Sequence, residues 1–156
     1  MPLRNPVLTQ RPEIPGDDAF LRRLMMGVIA EELGAAAWPE PMRSHLMEIQ
    51  YQTRRQARRM DHPASRSFIL KADVENAGWM LISTPSDVVW LVEIAVLPEL
   101  QGRGIGSAAI RRLLTPGATV RLHVNKTNGR AITLYHRLGF TTVDSNEVQW
   151  VMECRC

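Results

Sequence analysis

Cysteine is almost missing from this chain. Two of its 156 residues carry thiols, Cys154 and Cys156, in a C-x-C arrangement with no second pair and no neighbouring histidine. That spacing gives neither the clustered ligands of a zinc site nor the framework of a disulfide-stapled domain. The two read as reduced, structurally minor thiols, and no metal is expected. Long hydrophobic runs are missing as well, since nothing approaches the roughly 18 apolar residues of a membrane-crossing helix. The leading stretch MPLRNPVLTQRPEIPGDD is interrupted by prolines and lacks the apolar centre of a secretory signal, so no membrane partner and a cytoplasmic location are the expectation. A strong excess of one charge is also absent. Lysine and arginine number 19 against 16 acidic residues, a net charge of +3. That surplus is too small to argue for nucleic acid as a partner, yet it is compatible with anionic small molecules.

What is present is the composition of a soluble globular protein, 45% hydrophobic and 22% charged. The length suits one continuous core, and residues 1–156 are read as a single domain without repeats or low-complexity segments. Val7 and Leu8 supply a short strand over Asn5 to Arg11, and Pro15-Gly16-Asp17-Asp18 a turn with an N-cap. Phe20, Leu21, Leu24, Met25, Val28 and Ile29 recur at helical spacing before a stop at Gly34. Beyond Pro39-Glu40-Pro41, Met42, Leu46, Ile49, Thr53 and Ala57 mark one face of a longer helix closed by Asp61-His62-Pro63. Its other face is basic. Arg54, Arg55, Arg58 and Arg59 are either a solvated surface or the border of a site for an acidic substrate or cofactor phosphates.

Strands are expected over Ser67 to Ala72 and Gly78 to Ser83, joined by residues 73–77. Another follows from Ala118 to Val124. A helix with Asn128 as N-cap and Gly139 as left-handed C-cap comes next, and Phe140 to Val143 and Val148 to Cys154 close the chain as an antiparallel pair.

Residues 88–114, VVWLVEIAVLPELQGRGIGSAAIRRLL, organise the rest as strand, turn and helix. The apolar run suits a strand covered on both faces, and Pro98 ends it. In the turn, glycines 102, 104 and 106 remove the Cβ atoms that would hold an anion away from the main chain, just where a helix start leaves N–H groups unpartnered. A glycine-rich turn with no ligand fits the same spacing. The third glycine comes one residue early for G-x-G-x-x-G, and no βαβ unit precedes it, which excludes a dinucleotide-binding module. Without G-K-S/T after the glycines there is no P-loop.

Two motifs together resemble the GNAT superfamily of N-acetyltransferases. Gln101, Gly104 and Gly106 match its acyl-CoA signature Q/R-x-x-G-x-G/A, led by Glu93-Ile94-Ala95-Val96-Leu97-Pro98. Asn128, Ala131, Leu134, Tyr135, Leu138, Gly139 and Phe140 match N-x-x-A-x-x-L-Y-x-x-L-G-F. The resemblance is close from about Ser67 to Cys154 and looser before it. It implies an α/β (α+β) fold, a central mixed and mostly antiparallel sheet of six to seven strands with helices on both faces, splayed between the fourth and fifth strands. It also implies direct acetyl transfer from acetyl-CoA, without a metal, to a primary amine of a small molecule or peptide. The first two helices usually help form the acceptor site, and family members often assemble as homodimers.

Carried over by position, the resemblance places the pyrophosphate on the backbone amides of Gly102, Arg103, Gly104, Ile105 and Gly106. Gln101 and Ser107 belong to the same cofactor-binding set, and Arg103 adds a charge-assisted contact. Val96 and Leu97, beside a bulge near Val96, would pair their main chain with the pantetheine arm, and the Val96 N–H would polarise the thioester carbonyl. Asn128 would contact the cofactor from the opposite side. Tyr135 would protonate the departing thiolate, although its spacing alone fits a core aromatic equally. Glu93 is the ionisable residue of the apolar run and a candidate general base. A paired carboxylate or a solvent-facing one fits the same position. His123 is an alternative base, and His62 and His45 could approach the acceptor. A non-catalytic acyl-CoA-binding domain of the same fold is the rival reading.

Overall fold

The computed structural model describes residues 5–156. The reading of the N-terminal stretch as free of a signal rests partly on residues 1–4, which lie outside the described residues. No helix among the described residues is long and apolar enough to cross a membrane.

Seven segments extend into strands: β1 (Leu8–Pro12), β2 (Ser65–Ala72), β3 (Glu75–Ser83), β4 (Val88–Val96), β5 (Thr119–Asn125), β6 (Thr141–Ser145) and β7 (Gln149–Arg155). They form one sheet in the order β1-β2-β3-β4-β5-β7-β6. Every neighbouring pair is antiparallel except β4 and β5. This is the mixed, mostly antiparallel sheet that the motifs implied. The first strand starts later than expected and continues through Pro12, which an edge strand tolerates because a missing N–H there need not break the ladder. The β2–β3 turn shrinks to two residues because Asp73 adopts a left-handed conformation (φ 54°).

The sheet separates two cores. On one face α1 (Asp18–Leu33) buries Leu21, Leu24, Met25 and Ile29 against Ile69, Trp79, Leu81 and Leu97. The other face carries α3 (Ile105–Arg111) and α4 (Gly129–Arg137). There Ile105, Ala109, Ile110 and Tyr135 meet Leu70, Met80, Leu91, Val120, Leu122 and Met152. Asp17 does not cap α1 with its side chain. Its buried carboxylate instead accepts from Arg11 Nη2 at 2.7 Å and from the Ile14 N–H at 2.8 Å, tying the end of β1 to the turn before the helix.

The helix α2 (Met42–Asp61) corrects the sequence reading. Met42, Leu46, Ile49, Thr53 and Ala57, expected as a packing face, all lie on the exposed side. The inward stripe is Glu48, Tyr51, Arg55 and Arg58, itself at helical spacing. Glu48 pairs with Arg22 and Arg55 Nη1 donates to Asp18 at 2.9 Å, while Tyr51 is buried with the Arg22 guanidinium over its ring at 4.8 Å. Helical periodicity states which residues share a face, not which face turns inward, and here the charges of α1 select the polar one. Ile49→Gln should therefore change unfolding stability in urea by less than about 0.5 kcal/mol. Tyr51→Ala should cost about 3 kcal/mol.

Candidate functional site

The site begins with one extra residue in β4. Leu81 pairs with Glu93 but Ile82 pairs with Leu91, so Val92 is a bulge. It lies four residues before the position where sequence reasoning expected one. Side chains alternate along a strand, and an inserted residue reverses the phase. Val89 and Leu91 face the α3 side, and beyond the bulge Ile94 and Val96 do so. The intervening Val92, Ala95 and Leu97 pack on the α1 side, and Glu93 reaches α2 there. Without the bulge Glu93 would point into the apolar core beneath α3.

The bulge also ends the pairing of β4 with β5, which runs only from Val88–Thr119 to Leu91–Leu122. β5 continues to Asn125 against β7, and β4 continues to Val96 against β3 only, leaving a gap between β4 and β5. Leu97 N donates to Ala77 O at 2.8 Å, which makes the adjacent Val96–Gly78 pair the non-hydrogen-bonded one. Val96 therefore turns its N–H and C=O into the gap, where the carbonyl accepts from Gln101 Nε2 at 3.1 Å. Leu97 departs from its expected role. Its N–H goes to β3, its carbonyl accepts from Leu100 N at 2.9 Å, and its side chain is buried on the α1 side. Ile94 and Ala95 stand with Val96 along the gap instead.

The glycine turn closes one end. Gly102 and Gly104 have φ of 77° and 79°, a region L-residues rarely enter. Among the described residues, none of the backbone amides from Gly102 to Ser107 has a protein acceptor; the next, Ala108 N, donates to Gly104 O at 2.9 Å. A run of six such amides is a preformed set of donors for an anion. A Cβ built on Gly106 would meet only Val96 Cγ2, at 3.9 Å, so the protein leaves the cradle open on that side. Arg103 is exposed and outside the cavity lining.

Across the gap, Asn128 caps α4 by accepting from Ala131 N at 3.1 Å. Tyr135 lies further along the same helix. Its ring packs at 5.8 Å and 58° against Phe140, it is 9% exposed, and burial pushes its phenol above the ordinary tyrosine range. Among the described residues no acceptor takes the Tyr135 hydroxyl proton.

These elements enclose a cavity of about 760 Å³, lined by Val96, Gln101, the glycine turn, Asn128 and Tyr135. Arg130 and Arg137 from α4 and Glu31 from α1 complete the wall, and sequence reasoning missed all three. The two arginines are seven residues apart, which puts them on one helical face with Thr133. That spacing was the available signal.

Glu93 is not the isolated carboxyl that an apolar run suggested. The Arg58 guanidinium grips both its oxygens, Nη2 to Oε1 at 2.7 Å and Nε to Oε2, with the side chains 17% and 28% exposed. Arg54 Nη1 donates to Glu32 at 2.6 Å, and Arg59 is exposed with no ion pair among the described residues. His123 is exposed and stacked on Trp90 at 5.2 Å, and neither it nor His45 nor the half-buried His62 is part of the cavity lining. Cys154 and Cys156 are free thiols 3.8 Å apart.

Over 58 residues the chain is 48% identical to a GCN5-like protein acetyltransferase of Mycobacterium tuberculosis. That match takes in 34% of this chain and 28% of the relative, so it spans little more than a quarter of that protein's length. The solved structure of PaiA N-acetyltransferase from Thermoplasma acidophilum in complex with coenzyme A superposes with a TM-score of 0.69 at 16% identity, covering 96% of this chain and 99% of that one. An acetyltransferase from Thermus thermophilus also gives 0.69, at 19% identity over 99% of this chain and 100% of that one. Similarity at such low identity establishes the shared fold. The Acetyltransferase (GNAT) family model matches residues 30–140, most of the chain, and takes in β4 with its bulge, the glycine turn and α4; the chain therefore belongs to the GNAT acetyltransferase family.

Proposed function

We propose that this chain is an acetyl-CoA-dependent N-acetyltransferase that passes an acetyl group to a primary amine by direct attack, with residues 1–156 acting as one catalytic domain. The observation that carries this reading is the convergence, around one cavity, of the inward-turned Val96 amide with turn amides and a Tyr135 hydroxyl that have no acceptor among the described residues. Acetyl-CoA supplies the acyl group already activated as a thioester. The amides of residues 102–107 hold its pyrophosphate, and Arg130 and Arg137 offer charge for the remaining phosphate. The Val96 N–H stabilises the negative charge that grows on the carbonyl oxygen during attack. Tyr135 gives its proton to the departing sulfur. Glu93, oriented by Arg58, takes the amine's proton through water. The names of the similar proteins support amine acetylation.

The test combines binding and turnover. Calorimetry with acetyl-CoA should give a saturable isotherm, and thiol release should follow when a library of primary amines is added. Gly106→Ala should fold as the parent does, because its new methyl meets the protein only at 3.9 Å, yet bind acetyl-CoA about tenfold more weakly. Binding without acetylation of any amine would favour the non-catalytic rival, and no binding would remove both.

A further inference from the structure

A second cavity, of about 150 Å³, opens on the α1 and α2 side of the sheet. Its lining includes Arg55, Arg58, Arg59, Glu13, Tyr51 and Trp79. Three guanidinium groups therefore stand against one carboxylate. The acids that pair with Arg55 and Arg58, Asp18 and Glu93, are not part of the lining, so those bonds leave N–H groups over. Arg58 uses Nε and Nη2 on Glu93, and its Nη1 has no acceptor among the described residues. Arg59 makes no hydrogen bond among the described residues, and its charge, like that of Arg55, acts on Glu13 in the same cavity. Arg58 is also fixed in place, its Cζ lying 5.1 Å from the Trp79 ring centre while Trp79 Nε1 donates to Ser67 Oγ at 2.6 Å. A guanidinium held by stacking and a fork loses little freedom when it receives an anion.

This cavity is coupled to the larger one through β4. Trp79 is the register partner of Ala95, which lines the large cavity, and Glu93 is the next residue of β4 on the same face. From Glu93 to Val96 is three residues of strand, about 10 Å. We infer that the acceptor is an amine that also carries a carboxylate, the carboxylate seated on Arg58 and Arg59 and the amine separated from it by several bonds so as to reach the Val96 amide. An ω-amino acid or a short peptide has that separation. The α-amine of a free amino acid does not, because its amine and carboxylate share one carbon. This inference rests on the acyl-transfer reading above.

The experiment measures kcat/KM at saturating acetyl-CoA for glycine, 4-aminobutyrate and 6-aminohexanoate, each beside methylamine, propylamine or pentylamine as the partner lacking a carboxylate. The carboxylate should give 6-aminohexanoate an advantage of about tenfold or more, and glycine none. Arg59→Gln, a change at an exposed position, should reduce that ratio severalfold. Equal rates with and without the carboxylate, or a ratio unmoved by Arg59→Gln, overturn the inference while leaving acetyl transfer intact. A readout independent of turnover is calorimetric binding of 6-acetamidohexanoate in the presence of CoA. Binding weakened by Arg59→Gln supports the carboxylate seat even where no amine is acetylated, and no binding refutes it.

Discussion

Tyr135→Phe is expected to lower kcat by about a hundredfold while leaving the dissociation constant for acetyl-CoA within about threefold. The substitution removes one oxygen from a ring that otherwise keeps its packing on Phe140, so the fold should be indifferent to it. The hydroxyl has no acceptor among the described residues and borders the cavity, so its loss breaks no structural bond and removes only a proton donor. Burial raises the phenol above its ordinary value, which keeps it protonated beyond the pH at which free tyrosine ionises, near 10. The wild-type kcat profile should accordingly stay flat on its alkaline side up to at least about that pH, with any fall caused by Tyr135 lying above it. The phenylalanine variant should show no such limb. A variant with parental kcat would make Tyr135 a packing residue and nothing more.

Gly78→Ala should damage both stability and turnover although Gly78 is not part of the cavity lining. A Cβ there would stand 2.4 Å from the Ala95 carbonyl oxygen and 3.2 Å from Val96 Cα. Both are backbone atoms and cannot rotate away as a flexible side chain would, so β4 must move at the residue whose amide faces the gap. Overpacking of this kind costs about 2–3 kcal/mol. A displacement of Val96 by about 1 Å should lower kcat/KM by up to about a hundredfold. Gly27→Ala is the control. It lies within α1 with nothing within 4 Å of the added methyl, and it should stabilise the protein by about 0.5–1 kcal/mol with unchanged kinetics. Urea unfolding and steady-state rates on the two variants decide the matter. A stable, fully active Gly78→Ala would mean that β4 can yield here without disturbing the site.

Much of the frame was legible because it follows local rules. The stop at Gly34, the cap at Asn128 and the turn after Pro98 depend on the backbone preferences of a few consecutive residues, and the structure places them close to where those preferences point. Val92 was not legible, because an inserted residue in a run of apolar side chains leaves no trace in composition. With it went the main-chain role expected of Leu97, whose backbone groups are both engaged within the protein, and the position of the bulge itself. The outward face of α2 was hidden for another reason. Its apolar and polar stripes have the same period, and choosing between them requires the charges of α1. Arg130 and Arg137 went unnoticed because arginine on a short helix is ordinary until a cavity is found beside it.

The sequence by itself determined the order and kind of the elements, the glycine turn, and the two motifs that mark the family, since each depends on neighbours within a turn or two of chain. Only the tertiary structure decided what faces what. It turned the Val96 amide into the gap between β4 and β5, set Tyr135 in the wall of the same cavity with no acceptor for its hydroxyl among the described residues, and brought Arg58 across 35 positions onto Glu93. The physical reason is that strand phase and helix rotation are fixed by long-range packing. A single bulge residue or one matched row of charges can reverse either while the local preferences of the chain stay as they were.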